Sequence, residues 1–248
     1  MCLKEVPYCN ILGVKISTLS MKETVDFLKE NINNLSGDYI CVANVHTTVM
    51  SYDNDAYRSI QNGGVMALPD GGPLSTIAQR RGYRGAERVT GPDLMSEIFK
   101  ISGQERYRHY FYGSGPETLK LLRKKLEQQY PYVEVAGMYS PPYRILTNSE
   151  NQEVIRRINE SRPDFIWVGL GAPKQEQWMS SHRGLLHGVM VGVGAGFDYH
   201  AGNLKRAPRW MQRCNLEWLY RLMQEPKRLL KRYIYTNLKF LWLIIRGK

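Results

Sequence analysis

No stretch of this 248-residue chain approaches 18 consecutive apolar residues, which excludes a helix that crosses a bilayer. The first ten residues, MCLKEVPYCN, contain no apolar h-region, so no signal peptide is expected there. Cysteine is scarce: Cys2, Cys9, Cys41 and Cys214 form no CxxC pair, and Cys41 falls in an apolar run. That pattern points to a reducing cytoplasm rather than a disulfide framework. The histidines, at 46, 109, 182, 187 and 200, show no HExxH or related spacing, so no metal is expected. GxSxG, Walker A and a full GxGxxG are missing, and no segment of 20 to 50 residues recurs. Serine hydrolases, P-loop nucleotidases and solenoids drop out.

What is present is an ordinary globular composition, 43% hydrophobic and 23% charged, with a formal net charge of +11. That charge is unevenly placed. Residues 1–202 hold 22 Lys and Arg against 21 Asp and Glu, whereas residues 203–248 hold 12 against 2. The chain reads as a neutral α/β body, 1–202, and a basic helical appendage, 203–248. Positive charge so concentrated is a contact surface for phosphates: nucleic acid, an anionic membrane face or a phosphorylated substrate.

Short apolar or β-branched runs at 39–43 (YICVA), 65–68 (VMAL), 107–112 (YRHYFY), 133–136 (VEVA), 165–170 (FIWVGL) and 188–194 (GVMVGVG) are strand candidates. Helix-length stretches follow or separate them at 47–62, 73–81, 92–103, 116–129, 147–160 and 173–182. A further helix at 18–32, after a short extended segment at 10–17, precedes the first core strand. Ser20 and Thr147 stand three residues before Glu23 and Glu150, the spacing of a capping box. Alternating strand and helix predicts a Rossmann-like parallel sheet with helices on both faces.

In such a sheet the ligand cleft lies beyond the carboxyl ends of the strands, so the loops there should carry the function. Gly113-Ser114-Gly115-Pro116 offers backbone N–H groups and a helix N-terminus to a diphosphate, and serves equally as a tight turn with Pro at N1. Asp70, ahead of two glycines, suits a general base at the cleft rim; an Asx turn or helix cap would satisfy the same residues. Arg88 precedes a helix start, where it can grip phosphate bidentately or form a surface ion pair. After Gly171, the residues Lys174, Gln175 and Glu176 open a helix with more polar side chains than capping needs. His46 reads as a hydrogen-bonded loop residue.

In the appendage, Leu230, Ile234, Leu238, Leu241 and Ile245 fall within an arc of about 80° on a helix, with Arg228, Arg232, Lys239 and Arg246 opposite. The run Phe240 to Ile245 includes Trp242 and is too short to span a bilayer, yet able to lie in its interface. Docking on an anionic membrane is the preferred reading. The alternative, packing on its own domain or on a sister subunit, leaves room for a homo-oligomer. Nucleic acid is not an expected partner, because no helix-turn-helix, zinc or RNP pattern accompanies the charge.

Taken in order, the segments Asn44, Pro69-Asp70-Gly71, Glu87-Arg88-Val89-Thr90-Gly91 with Asp93, Gly169-Leu170-Gly171 through Pro173-Lys174-Gln175-Glu176 and Trp178, Gly192 to Gly194 with Phe197-Asp198, Ala201-Gly202, Arg206-Ala207-Pro208 and Glu217-Trp218 through Arg228 resemble the WecG/TagA/CpsF family of bacterial glycosyltransferases. The resemblance implies inverting, metal-independent transfer of a hexosamine, N-acetylmannosamine in the first reading, from UDP onto a GlcNAc carried on undecaprenyl diphosphate. It implies Asp70 as catalytic base. Asn44, Arg88 and Gln175 would line the sugar and diphosphate pocket, Asp198 would lie near the nucleotide, and Arg221, Arg228 and Lys231 would close over the site from the appendage.

The protein would then be cytoplasmic and peripheral to the inner face of the membrane, with no cofactor beyond its donor substrate. Val42 stands where many members carry a hydroxyl residue, a departure that bears on the donor sugar. Alternatives are another UDP-sugar, N-acetylmannosaminuronic acid or a hexose, and a nucleic-acid-binding protein with a basic tail.

Overall fold

The computed structural model describes residues 5–214 and 216–247, apart from the side chains of Arg209, Arg213 and Arg228. The extended segment near the start is a hairpin, β1 (Tyr8–Ile11) and β2 (Val14–Ser17). Its turn places Leu12 and Gly13 at φ 51° and 85°, as a two-residue primed turn requires. Helix α1 (Met21–Asn31) begins after Ser20, whose hydroxyl and Glu23 form the expected capping box.

Strand β3 (Tyr39–Ala43) leads into α2 (Val45–Asp53) and α3 (Asp55–Gly63). These two replace the single helix expected over 47–62. Asn54 leaves the helical region at φ −140° and its side chain accepts from the Tyr57 N–H, ending one helix and capping the next. Then come β4 (Met66–Pro69), α4 (Gly72–Arg80), α5 (Gly91–Glu105), β5 (Arg108–Gly113), α6 (Pro116–Gln129), β6 (Glu134–Tyr139) and α7 (Asn148–Glu160), the last capped by Thr147 and Glu150. The body closes with β7 (Phe165–Gly169), α8 (Lys174–Ser181), β8 (Val189–Gly192) and α9 (Gly196–Ala201).

The eight strands form one sheet in the order β1-β2-β4-β3-β8-β7-β5-β6, parallel except for the β1–β2 pair at its edge. The fold is α/β and Rossmann-like. Side chains alternate between faces, as the two-residue strand period demands. Ile40, Val42, Phe165 and Trp167 pack with α1, α5, α6 and α9 on one side; Cys41, Ala43, Ile166 and Val168 pack with α4, α7 and α8 on the other. Both faces being covered explains why these strands read as continuous apolar runs.

Residues beyond Gly202 form α10 (Arg209–Arg213), α11 (Glu217–Gln224) and α12 (Pro226–Ile245). Helix α12 lies against α2 and contributes Phe240 and Leu243 to the second of those cores. Its other side carries Leu230, Ile234, Leu238, Leu241 and Ile245, all exposed. The apolar arc read from the sequence is therefore the outward face. Two of the cations opposite it face the body: Lys239 Nζ bonds both carboxylate oxygens of Asp53 at 2.6 and 2.8 Å, and Arg232 lines a cleft.

Candidate active site

The carboxyl ends of the parallel strands open into a cleft of about 1690 Å³, roofed by α11 and α12. Five of these strands supply its walls. Asn44 follows β3, Asp70 follows β4, Ser114 and Gly115 follow β5, Gly171, Ala172 and Lys174 to Gln177 follow β7, and Val193 to Gly196 with Asp198 follow β8; all border the cleft.

Asp70 is fixed by its own N–H, which donates to the Ala43 carbonyl at 2.7 Å. Gly71 at φ 116° turns the chain sharply away after it, a conformation that favours glycine. Burial, together with the Glu217 carboxylate, pushes Asp70 up to about 6 against the pull of Arg88, Arg221 and Arg206. A carboxylate with that basicity is ionised at neutral pH and still takes a proton readily.

Around it lies a mixed-charge cluster shared by body and appendage. The Arg88 guanidinium bonds Glu217 and, at 3.3 Å, Gln212 Oε1; it also stands 3.6 Å from Asp93. Arg206 bonds Asp93 at 3.0 Å and lies 3.3 Å from Glu217. Burial alone would raise Asp93, but Arg206 and Thr90, with Arg88 beyond, hold it below the usual carboxylate range. Arg221 and Tyr233 complete the roof near Asp70.

Opposite, a buried chain of hydrogen bonds sets the β7 and β8 loops. Glu176 Oε1 accepts from Gln175 Nε2 at 2.8 Å, and Gln175 Oε1 accepts from the Gly194 N–H at 3.0 Å. Burial raises the Glu176 carboxyl. Asn44 caps α2, its Oδ1 accepting from Thr47 N–H at 3.1 Å, so its amide nitrogen is the group it presents to the cleft. Asp198 Oδ1 accepts from Asn203 Nδ2 at 3.2 Å, beside Thr118 at the start of α6.

A buried carboxylate of raised basicity, Asp70, beside arginines that Asp93 and Glu217 hold in place, at the carboxyl end of a parallel sheet, suits the displacement of a phosphorylated leaving group. The sequence profile of the glycosyl transferase WecG/TagA/CpsF family matches residues 9–248. The chain belongs to this family. A relative from Bacillus subtilis (strain 168) is 30% identical over 244 residues, covering 96% of this chain and 90% of that protein. Another, from Staphylococcus aureus (strain MW2), is 29% identical over 223 residues, covering 89% and 86%. Both are named N-acetylglucosaminyldiphosphoundecaprenol N-acetyl-beta-D-mannosaminyltransferase.

The structure gathers most of the residues singled out for this glycosyltransferase at one cleft: Asn44, Asp70, Arg88, Gly171, Lys174, Gln175, Asp198 and Arg221. Gly113 is not among the lining residues. Its φ is 116° and a Cβ would stand 2.7 Å from the Gly169 backbone, so this glycine serves close strand contact. The Ser114 N–H, expected to be free for a phosphate, donates to the Gly169 carbonyl at 3.1 Å.

Lys231, expected over the diphosphates, lies instead in an outward groove of α12 with Leu230, Ile234 and Trp242. It stands next in sequence to the inward-facing Arg232 and Tyr233, and adjacent residues on a helix point about 100° apart. The Arg228 side chain falls outside the described residues. His46 lines the cleft near Arg232, and burial with that positive charge brings it down to about 4. Its Nδ1 has no hydrogen-bond partner among the described residues, contrary to the bonded loop histidine expected.

Sequence reasoning did not assign Glu217, Arg206 or Arg232 to the site. The density of charge around the 206–208 and 217–221 segments was the available signal. No group of three or more His, Cys, Asp or Glu among the described residues is placed to hold a metal ion, and no helix among them is long and apolar enough to cross a membrane.

Proposed function

We propose that this glycosyltransferase moves N-acetylmannosamine from UDP to the GlcNAc of GlcNAc-diphospho-undecaprenol, with inversion, in the synthesis of a cell-surface polymer. The observation that carries the reading is Asp70 at the cleft floor, raised to about 6 and faced by Arg88, Arg206 and Arg221. Asp70 takes the proton of the acceptor hydroxyl as its oxygen attacks the anomeric carbon. The bond from that carbon to UDP breaks on the opposite side, and the arginines meet the charge that develops on the departing diphosphate. A single displacement needs one base and no protein nucleophile. The cations already present serve the leaving group without a metal. The names of the relatives support the transferred sugar and the acceptor.

The same reading makes the protein a peripheral one, held to an anionic membrane by the outward apolar face of α12 and the basic groups beside it. Exposed Leu230, Ile234, Leu238 and Trp242 with Lys231 suit the headgroup boundary.

The test is an intact-mass measurement of product from synthetic lipid-linked GlcNAc incubated with a panel of UDP-sugars. The expected product carries one added N-acetylhexosamine from UDP-N-acetylmannosamine. Transfer only from UDP-N-acetylmannosaminuronic acid or a UDP-hexose would overturn the donor and keep the reaction class.

A further inference from the structure

The cleft has two chemically different ends. Asp70, Arg88, Arg206 and Arg221 make one end charged. At the other, the loop 140–147 between β6 and α7 faces the C-terminal half of α12, and Tyr143, Ile145, Leu146, Leu241 and Ile244 line the same cavity. The wall beneath is aromatic: Tyr112 stacks on Trp178 with ring centroids 4.2 Å apart.

The rim of this end is apolar and uncovered. Tyr143 is 98% exposed and Ile145 94%, and Leu241 across the gap is 58% exposed. The loop is nonetheless held in place. Ser140 Oγ donates to the Ser114 carbonyl at 2.7 Å, and Arg144, between the two exposed apolar residues, bonds both Glu150 oxygens at 2.7 and 2.6 Å. Pro141 and Pro142 stiffen its first half. A fixed, exposed apolar rim marks a contact site.

We infer that this end is the subsite for the first isoprenyl units of the acceptor, whose chain leaves the cleft between the 141–146 loop and Leu241 and Ile244 of α12. The inference rests on the acceptor proposed above. Continuity with the charged end selects the occupant. A ligand that fills both ends carries a diphosphate head for the arginines and an apolar chain joined directly to it. A bilayer lipid or a second copy of the chain would cover the rim without reaching the floor.

The test compares two water-soluble acceptors, GlcNAc diphosphate esterified with farnesol and with ethanol, in the absence of membrane and at fixed UDP-N-acetylmannosamine. The wild-type protein should favour the farnesyl acceptor in kcat/KM by about tenfold or more, the scale on which apolar pockets discriminate. In the double variant Tyr143→Ser/Ile145→Ser that ratio should fall toward one. Leu241→Ser, on the opposite wall, should lower it independently; all three side chains are exposed, so the variants should keep the wild-type melting temperature.

A wild-type ratio near one, or a ratio unchanged in the variants, would overturn the subsite. So would a preference that appears only when anionic vesicles are added, because that outcome assigns the rim to the bilayer. If the wild-type protein binds UDP but glycosylates neither acceptor with any UDP-sugar, the acceptor assignment itself fails.

Discussion

Arg88 and Glu217 are 129 residues apart in the chain, and the Arg88 guanidinium donates to the Glu217 carboxylate beside Asp70. The first sits on the loop before α5 and the second opens α11, so this pair ties the body to the appendage directly over the proposed base. Arg206 and Asp93 extend it into a cluster of four alternating charges. Such a cluster holds geometry more than it adds stability, since desolvation offsets much of the attraction.

Replacing Glu217 by Gln removes the negative charge that raises Asp70. The acid limb of the kcat/KM profile, expected near pH 6 in the wild type, should move to lower pH, because Asp70 then stays ionised further down. A limb that stays put or rises would show that Glu217 does not act on the base.

Asp70→Asn should cut turnover about 100-fold or more and leave UDP affinity within a few-fold, the scale of a lost general base. The same variant should be more thermally stable than wild type at pH 8. A carboxyl whose folded value lies above its unfolded one contributes stability when protonated. That contribution fades as pH rises through the window between 3.8 and about 6, and the amide is free of the loss. Melting temperatures at pH 4 and pH 8 check the sign: the advantage of the variant should grow with pH.

Activity should survive EDTA, because Arg88, Arg206 and Arg221 already supply positive charge to the leaving diphosphate. Loss on chelation with recovery in magnesium or manganese would show that these cations do not suffice.

The two faces of α12 should separate docking from folding. Leu230→Ser/Ile234→Ser/Leu238→Ser should abolish co-sedimentation with anionic vesicles while melting temperature and UDP binding hold, since all three side chains are exposed. Phe240→Ala or Leu243→Ala, both buried against the body, should instead destabilise by about 2–5 kcal/mol in thermal or denaturant unfolding. Vesicle binding retained by the triple variant would detach the outward face from the membrane.

Strand runs such as YICVA and FIWVGL, the capping boxes at Ser20 and Thr147, and the loops after the strands could be read directly, because each depends on residues a few positions apart. By the same local logic Asp70, ahead of two glycines at a strand end, was visible as a candidate base. The break at Asn54 was not, since a polar residue inside an apparent helix looks the same whether it faces solvent or caps a new helix. Gly113 was misread for a related reason: the spacing asks for a glycine, but only the neighbouring strand shows that Gly169 is what requires it.

The sequence by itself determined the alternation of strand and helix, the concentration of positive charge after residue 202 and the existence of an amphipathic last helix. Tertiary structure decided which side of that helix faces out. Periodicity fixes the angle between the two stripes and not their direction; here Phe240 and Leu243 fit the core against α2, and Leu230, Ile234 and Leu238 are left outside. It also decided that Glu217 meets Arg88 and that Tyr143 and Leu241 flank one cleft, because contacts between residues about a hundred positions apart depend on how the whole sheet is ordered and carry no local signal.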